Sequence, residues 1–142
     1  MSTPILGSVI ELLKNISSLC NKVIDSSDPE KHAKSVNELN KGVSDTYEEM
    51  RKIIVNSDKF SDDEKIKRLQ QLSKQEETSK KKCSELIAEN RKNIAKTVMY
   101  ILEGFLTCGI SFTPAIMKQV KNTILEGNEL QINETDLLEE NN

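Results

Sequence analysis

The chain has 142 residues, with 20 Lys and Arg against 23 Asp and Glu, one His, three Cys and no Trp. That length holds one domain, or one domain with a tail, and excludes a multidomain assembly. An apolar content of 36% implies a narrow core, as along a helix seam. Five Gly and three Pro are too few for the turns of an all-β fold, and 4% aromatic residues leave little on which bases or sugars could stack.

Four helix starts follow in chain order. An N-terminal turn needs a side-chain oxygen to accept an orphan backbone N–H, and it tolerates proline at its first position. Thr3-Pro4, Asp28-Pro29 and Thr113-Pro114 supply both, while Ser61 with Glu64 three residues later forms a capping-box pattern. Stops match these starts: Asp25 to Ser27, Asn56 to Asp58, Gly109 and Gly127. The spacing therefore predicts helices over 4–25, 29–57, 62–109 and 114–126.

Apolar periodicity agrees. In the first helix Ile5, Val9, Leu12, Ile16, Leu19 and Val23 recur by three and four, with Leu6, Leu13 and Cys20 widening the stripe until it needs two neighbours. The second helix carries Val36, Leu39, Val43, Tyr47, Met50, Ile53 and Ile54. The third opens with Ile66, Leu69 and Leu72 and closes with Cys83, Leu86, Ile87, Ile94, Val98, Ile101, Leu102 and Phe105. Between these, Ser73 to Lys82 holds no apolar residue, and Glu76–Lys80 and Glu77–Lys81 stand in the favourable i,i+4 order. One long helix with a solvent-exposed polar middle is expected over 62–109, in preference to a break near Thr78-Ser79. Such a rod would be roughly 70 Å long.

The charge is uneven. Residues 59–96 carry 11 basic and 7 acidic groups, whereas 126–142 carry 6 acidic groups and no basic one. Asn128 to Asn142 is expected to be a disordered acidic tail beyond a bundle spanning 1–127. The alternative is that Leu130, Ile132, Leu137 and Leu138 dock on a groove, in this protein or in a partner.

Few residues carry recognisable chemistry. Cys20, Cys83 and Cys108 are widely spaced and form no CxxC pair, so buried free thiols are expected rather than a disulfide framework or a zinc site. The N-terminus shows no signal-peptide pattern, and cytoplasmic residence is expected. His32 is the single histidine, which excludes HExxH; it continues the seam of the second helix and is expected to pack near the bundle end. Adjacent carboxylates such as Glu48-Glu49 point about 100° apart on a helix and make no acid/base dyad by themselves. P-loop, GxGxxG and GxSxG patterns are absent. Lys80-Lys81-Lys82 is the basic run, but with three Arg in the whole chain and no aromatic residue between Phe60 and Tyr100 it reads as a solvated face, and nucleic acid is not an expected partner.

Val98 to Met117 contains one charge, Glu103, in twenty residues. Length alone permits a membrane span, but Glu103 near its centre costs about 2.5 kcal/mol or more and offsets much of the apolar gain. Lys96, Tyr100, Glu103, Thr107 and Ser111 also draw a polar stripe suited to a core helix.

These readings combine into an all-α, elongated antiparallel bundle of three long helices and one short C-terminal helix. It is expected to be non-enzymatic, without metal or cofactor, and to bind a protein partner or a second copy of itself. Its binding surface is expected at Phe105, Leu106, Ile110, Phe112 and Ile116, where apolar surface exceeds what a small seam uses. The alternative function is a membrane-active protein that inserts the 98–117 hairpin into a bilayer.

Overall fold

The computed structural model describes residues 3–85, 91–126, 131–132 and 137–139. Among these residues the chain forms α1 (Thr3–Asp25), α2 (Pro29–Val55), α3 (Asp62–Glu85), α4 (Arg91–Thr107), β1 (Ile110–Phe112), α5 (Pro114–Glu126) and β2 (Leu137–Glu139). Helices packed on one another dominate, and the all-α class expected from composition is what the chain adopts.

Three of the four expected caps are visible as hydrogen bonds. Asp28 Oδ1 accepts from Lys31 N at 3.0 Å, Ser61 Oγ from Glu64 N at 3.2 Å and Thr113 Oγ1 from Ile116 N at 3.2 Å. The side chains of Thr3-Pro4 and the stop at Gly127 lie outside the described residues. Gly109 ends the α4 segment with φ 87°, a left-handed conformation that glycine adopts without a Cβ penalty.

From α1 to α4 successive helices run antiparallel, and cross-helix contacts fix their registers. Gly42 of α2 faces Ile16 and Leu19 of α1. Across α2 and α3, Tyr47 meets Ser79, Arg51 meets Glu76, and Lys65 Nζ donates to the Val55 carbonyl at 2.8 Å. Across α3 and α4, Arg68 Nη1 donates to the Thr107 carbonyl at 2.9 Å. A single core runs through all of them and includes Val9, Leu13, Ile16, Leu39, Val43, Tyr47, Met50, Leu72, Ile101 and Phe105.

Two expectations change. The rod over 62–109 does not exist: α3 ends at Glu85, α4 starts at Arg91, and the two pack side by side in the most extensive helix–helix contact of the fold. The polar stretch Ser73 to Lys82 is part of that packing and not a solvent-exposed middle. Ser79 is fully buried, with its hydroxyl sharing a hydrogen bond of 2.9 Å with Tyr47. Hydrogen-bonded polar side chains can line a helix interface at little net cost, so the absence of apolar residues does not force a helix into water. Doubling back also buries Val98, Ile101, Leu102 and Phe105, which a straight rod would carry away from the other helices. The break itself, over 86–90, falls outside the described residues.

The second change concerns 128–142. Within it Ile132 and Leu137 are buried in the common core, and Leu137–Glu139 forms β2, so the described part of this segment is seated on the bundle. The rest of the expected tail, including Leu130 and the side chain of Leu138, lies outside the described residues.

Candidate functional site

The Gly109 turn delivers Ile110–Phe112 to the bundle surface as an extended segment, and Thr113-Pro114 starts α5 directly after it. The backbone of β1 pairs antiparallel with β2 in the register Ile110↔Glu139, Ser111↔Leu138 and Phe112↔Leu137. Directly opposite residues in such a ladder share a face, so Phe112 and Leu137 meet on the core side, where both are buried. Upstream, Gln119 Nε2 on α5 donates to the Gln131 carbonyl at 3.2 Å, and Ile132 inserts into the core. Residues 131–132 and 137–139 thus form a strap, the first pair against α5 and the second stretch on β1, held by three paired residues and two anchors. Each anchor contributes about 1.5–3 kcal/mol of burial before the entropy of ordering the segment is counted.

The residues expected as a partner surface converge here. Phe105 and Phe112 form an edge-to-face pair with centroids 6.2 Å apart, and Ile110 and Ile116 join the same cluster. All four are buried by the chain itself, and only Leu106, 44% exposed, faces solvent. The expected surplus of apolar surface was counted without the strap, whose Ile132 and Leu137 join the same core. Sequence reasoning missed β1 because three residues are too few to show a period, and missed β2 because the acidic composition of 126–142 outweighed its apolar pairs.

The 98–117 block is accordingly divided among α4, β1 and α5. Among the described residues no helix is long and apolar enough to cross a membrane. Of its polar stripe, Lys96 and Glu103 are exposed, while Thr107 is buried with its hydroxyl 3.1 Å from Gln75 Oε1.

Polar groups elsewhere hold helices together. Glu76 of α3 receives Lys80 Nζ at 2.9 Å and the guanidinium of Arg51 from α2. Partial burial alone would raise the Glu76 carboxyl; the hydrogen bonds from Lys80 and Arg51 outweigh it and keep the group below its ordinary value. Tyr47 is pushed up to about 12 by burial, aided by Glu76, Glu103 and Cys108 against the opposing hydrogen bond with Ser79. Burial also pushes the Cys83 and Cys108 thiols up to about 12 and raises Cys20. Thiols held protonated in this way are poor nucleophiles and poor metal ligands.

His32 is half-buried near the start of α2, and its Nε2 has no hydrogen-bond partner among the described residues. Of the basic run, Lys80 is bound to Glu76 and Lys82 to Glu85. An open groove of about 920 Å³ runs between α1 and α2 past Glu11, Leu12, Asp45, Glu48 and Glu49. Three of its acids already have partners in Lys41, Arg51 and Lys52. Among the described residues no three His, Cys, Asp or Glu side chains converge as metal ligands.

Compared with family models, with curated proteins and with solved structures, the chain has no match.

Proposed function

We propose that the chain is a non-enzymatic protein-interaction module whose binding surface is β1 together with the neighbouring start of α5, and that it takes an extended segment bearing spaced apolar side chains. The observation that carries this reading is the seating of residues 137–139 on β1. It supports the reading by the chemistry of the pairing: backbone hydrogen bonding to Ile110–Phe112 and an apolar side chain opposite Phe112. Strand addition of this kind draws affinity from main-chain hydrogen bonds and selectivity from the pockets that alternate side chains fill. The binding surface is therefore shifted from the helix faces expected from sequence to a strand edge, while Ile110, Phe112 and Ile116 remain its apolar floor. A reducing, cytoplasmic setting suits three unpaired buried cysteines.

A fluorescent peptide with the sequence of residues 128–142 tests the reading. Added to full-length protein carrying Leu137→Asp, which unseats the chain's own strap, it should bind saturably, and the same peptide with Leu137→Asp should not. A variant that keeps its helical circular dichroism and binds neither peptide would contradict the proposal.

A further inference from the structure

Resting on that reading, we infer that Arg68 is the positioning residue of the β1 surface: from α3 it holds both sides of the turn that delivers Ile110–Phe112. On the near side its Nη1 donates to the Thr107 carbonyl at 2.9 Å. On the far side its guanidinium lies 4.0 Å from the centroid of the Phe60 ring, whose Cζ is 3.0 Å from the point where a Cβ on Gly109 would stand. One planar group therefore acts on residue 107 directly and on residue 109 through a buried ring.

The chemistry of the three contacts asks for an arginine. The last carbonyls of a helix lack partners within it and carry the negative end of its dipole, so a donor that is also a cation satisfies both at the end of α4. Lying over Phe60 leaves the N–H edge of the fork free for the Thr107 carbonyl and for the Glu64 carboxylate, 3.3 Å from Nε. A lysine ammonium is a point charge without a fork and cannot serve the ring, the carbonyl and the carboxylate together. In a chain where lysine supplies most of the positive charge, one of the three arginines stands here. The hold matters because the β1–β2 ladder is three residues long and a ribbon of that size is marginal by itself, so the course of Ile110–Phe112 is set upstream, at the exit from α4.

The experiment compares full-length Arg68→Met, which keeps an unbranched side chain over Phe60, and Arg68→Lys, which keeps the charge. Amide hydrogen exchange at Ile110–Phe112 should rise at least fivefold in Arg68→Met and by a smaller factor in Arg68→Lys, while the amides of Ile101 and Leu102 in the middle of α4 stay at their wild-type rates. Phe60→Leu, which removes the ring that transmits the contact, should raise the same exchange and add little when combined with Arg68→Met. With Leu137→Asp present, Arg68→Met should weaken binding of the 128–142 peptide at least fivefold.

Wild-type exchange at 110–112 in the Arg68 variants, or an equal rise at 101–102, would overturn the inference, the second by making Arg68 a general stabiliser of the fold. Arg68→Lys decides alone if Arg68→Met loses its helical circular dichroism. The peptide separates the two ideas: if it fails to bind the Leu137→Asp protein while 110–112 still loosens selectively, Arg68 keeps its positioning role and only β1 as a partner surface falls.

Discussion

Phe112 and Leu137 lie opposite each other in the β1–β2 ladder, and both are buried. Their positions differ: Phe112 follows α4 directly and packs edge-to-face on Phe105, whereas Leu137 reaches the same core from the C-terminal segment beyond α5. Phe112→Ala should lower the stability of the whole fold by about 3–5 kcal/mol, measured by urea unfolding. Leu137→Asp should leave the helical signal in place and raise amide exchange over 110–112 about tenfold or more, the signature of local opening. Equal loss of global stability from both changes would mean that the strap is part of the cooperative core.

Tyr47 links three helices. Its hydroxyl is 2.9 Å from Ser79 Oγ on α3 and 3.3 Å from the Tyr100 carbonyl on α4. Tyr47→Phe leaves the buried Ser79 hydroxyl without this partner and should cost about 1–3 kcal/mol. The double variant with Ser79→Ala should recover part of that loss, and a double-mutant cycle by thermal unfolding checks the coupling. Strict additivity would show that the two hydroxyls act independently.

Stability should fall at both ends of the pH scale, for opposite reasons. Glu76 is held below its ordinary value of 4.5 in the folded chain, so its contribution is complete above that value and is lost as pH drops through the lower folded one. Tyr47 moves from 10.0 to about 12, and Cys83 and Cys108 from 9.0 to about 12. These groups remain protonated when folded, so their contribution is complete below pH 9 and is lost as pH rises toward 12. Urea midpoints across pH should fall on both flanks, and Glu76→Gln should flatten the acid flank. An unchanged acid flank in that variant would remove Glu76 from the account.

Gly109 has φ 87°, and a Cβ built there would lie 3.0 Å from Phe60 Cζ. Phe60 cannot readily yield, because it is buried and the Arg68 guanidinium stacks 4.0 Å from its ring centroid. Gly109→Ala should destabilise the protein by about 1–2 kcal/mol or more, through left-handed strain plus this contact. A wild-type melting temperature for the variant would contradict the role of the turn in presenting β1.

Much of the helical framework is legible in the sequence because its signals are local. Asp28, Ser61 and Thr113 mark starts through chemistry contained within one turn, and the seams of α1 and α2 repeat every three or four residues. What is not legible depends on partners distant in sequence. Ser79 reads as solvent-facing until Tyr47, 32 positions away, is brought to it. Phe112 reads as surplus surface until Leu137 covers it. In both cases local composition describes the residue correctly and its environment wrongly, since burial is set by what the chain folds back upon.

The central claim is that residues 137–139 sit in register on β1. A single chain carrying Ser111→Cys and Leu138→Cys, oxidised at low concentration, tests it most directly. A fast intramolecular disulfide between positions 111 and 138, identified by mass spectrometry, is expected, and it should disappear when Leu137→Asp is added. Failure of those two positions to join in a folded chain, or joining at the same rate with Leu137→Asp present, would contradict the claim.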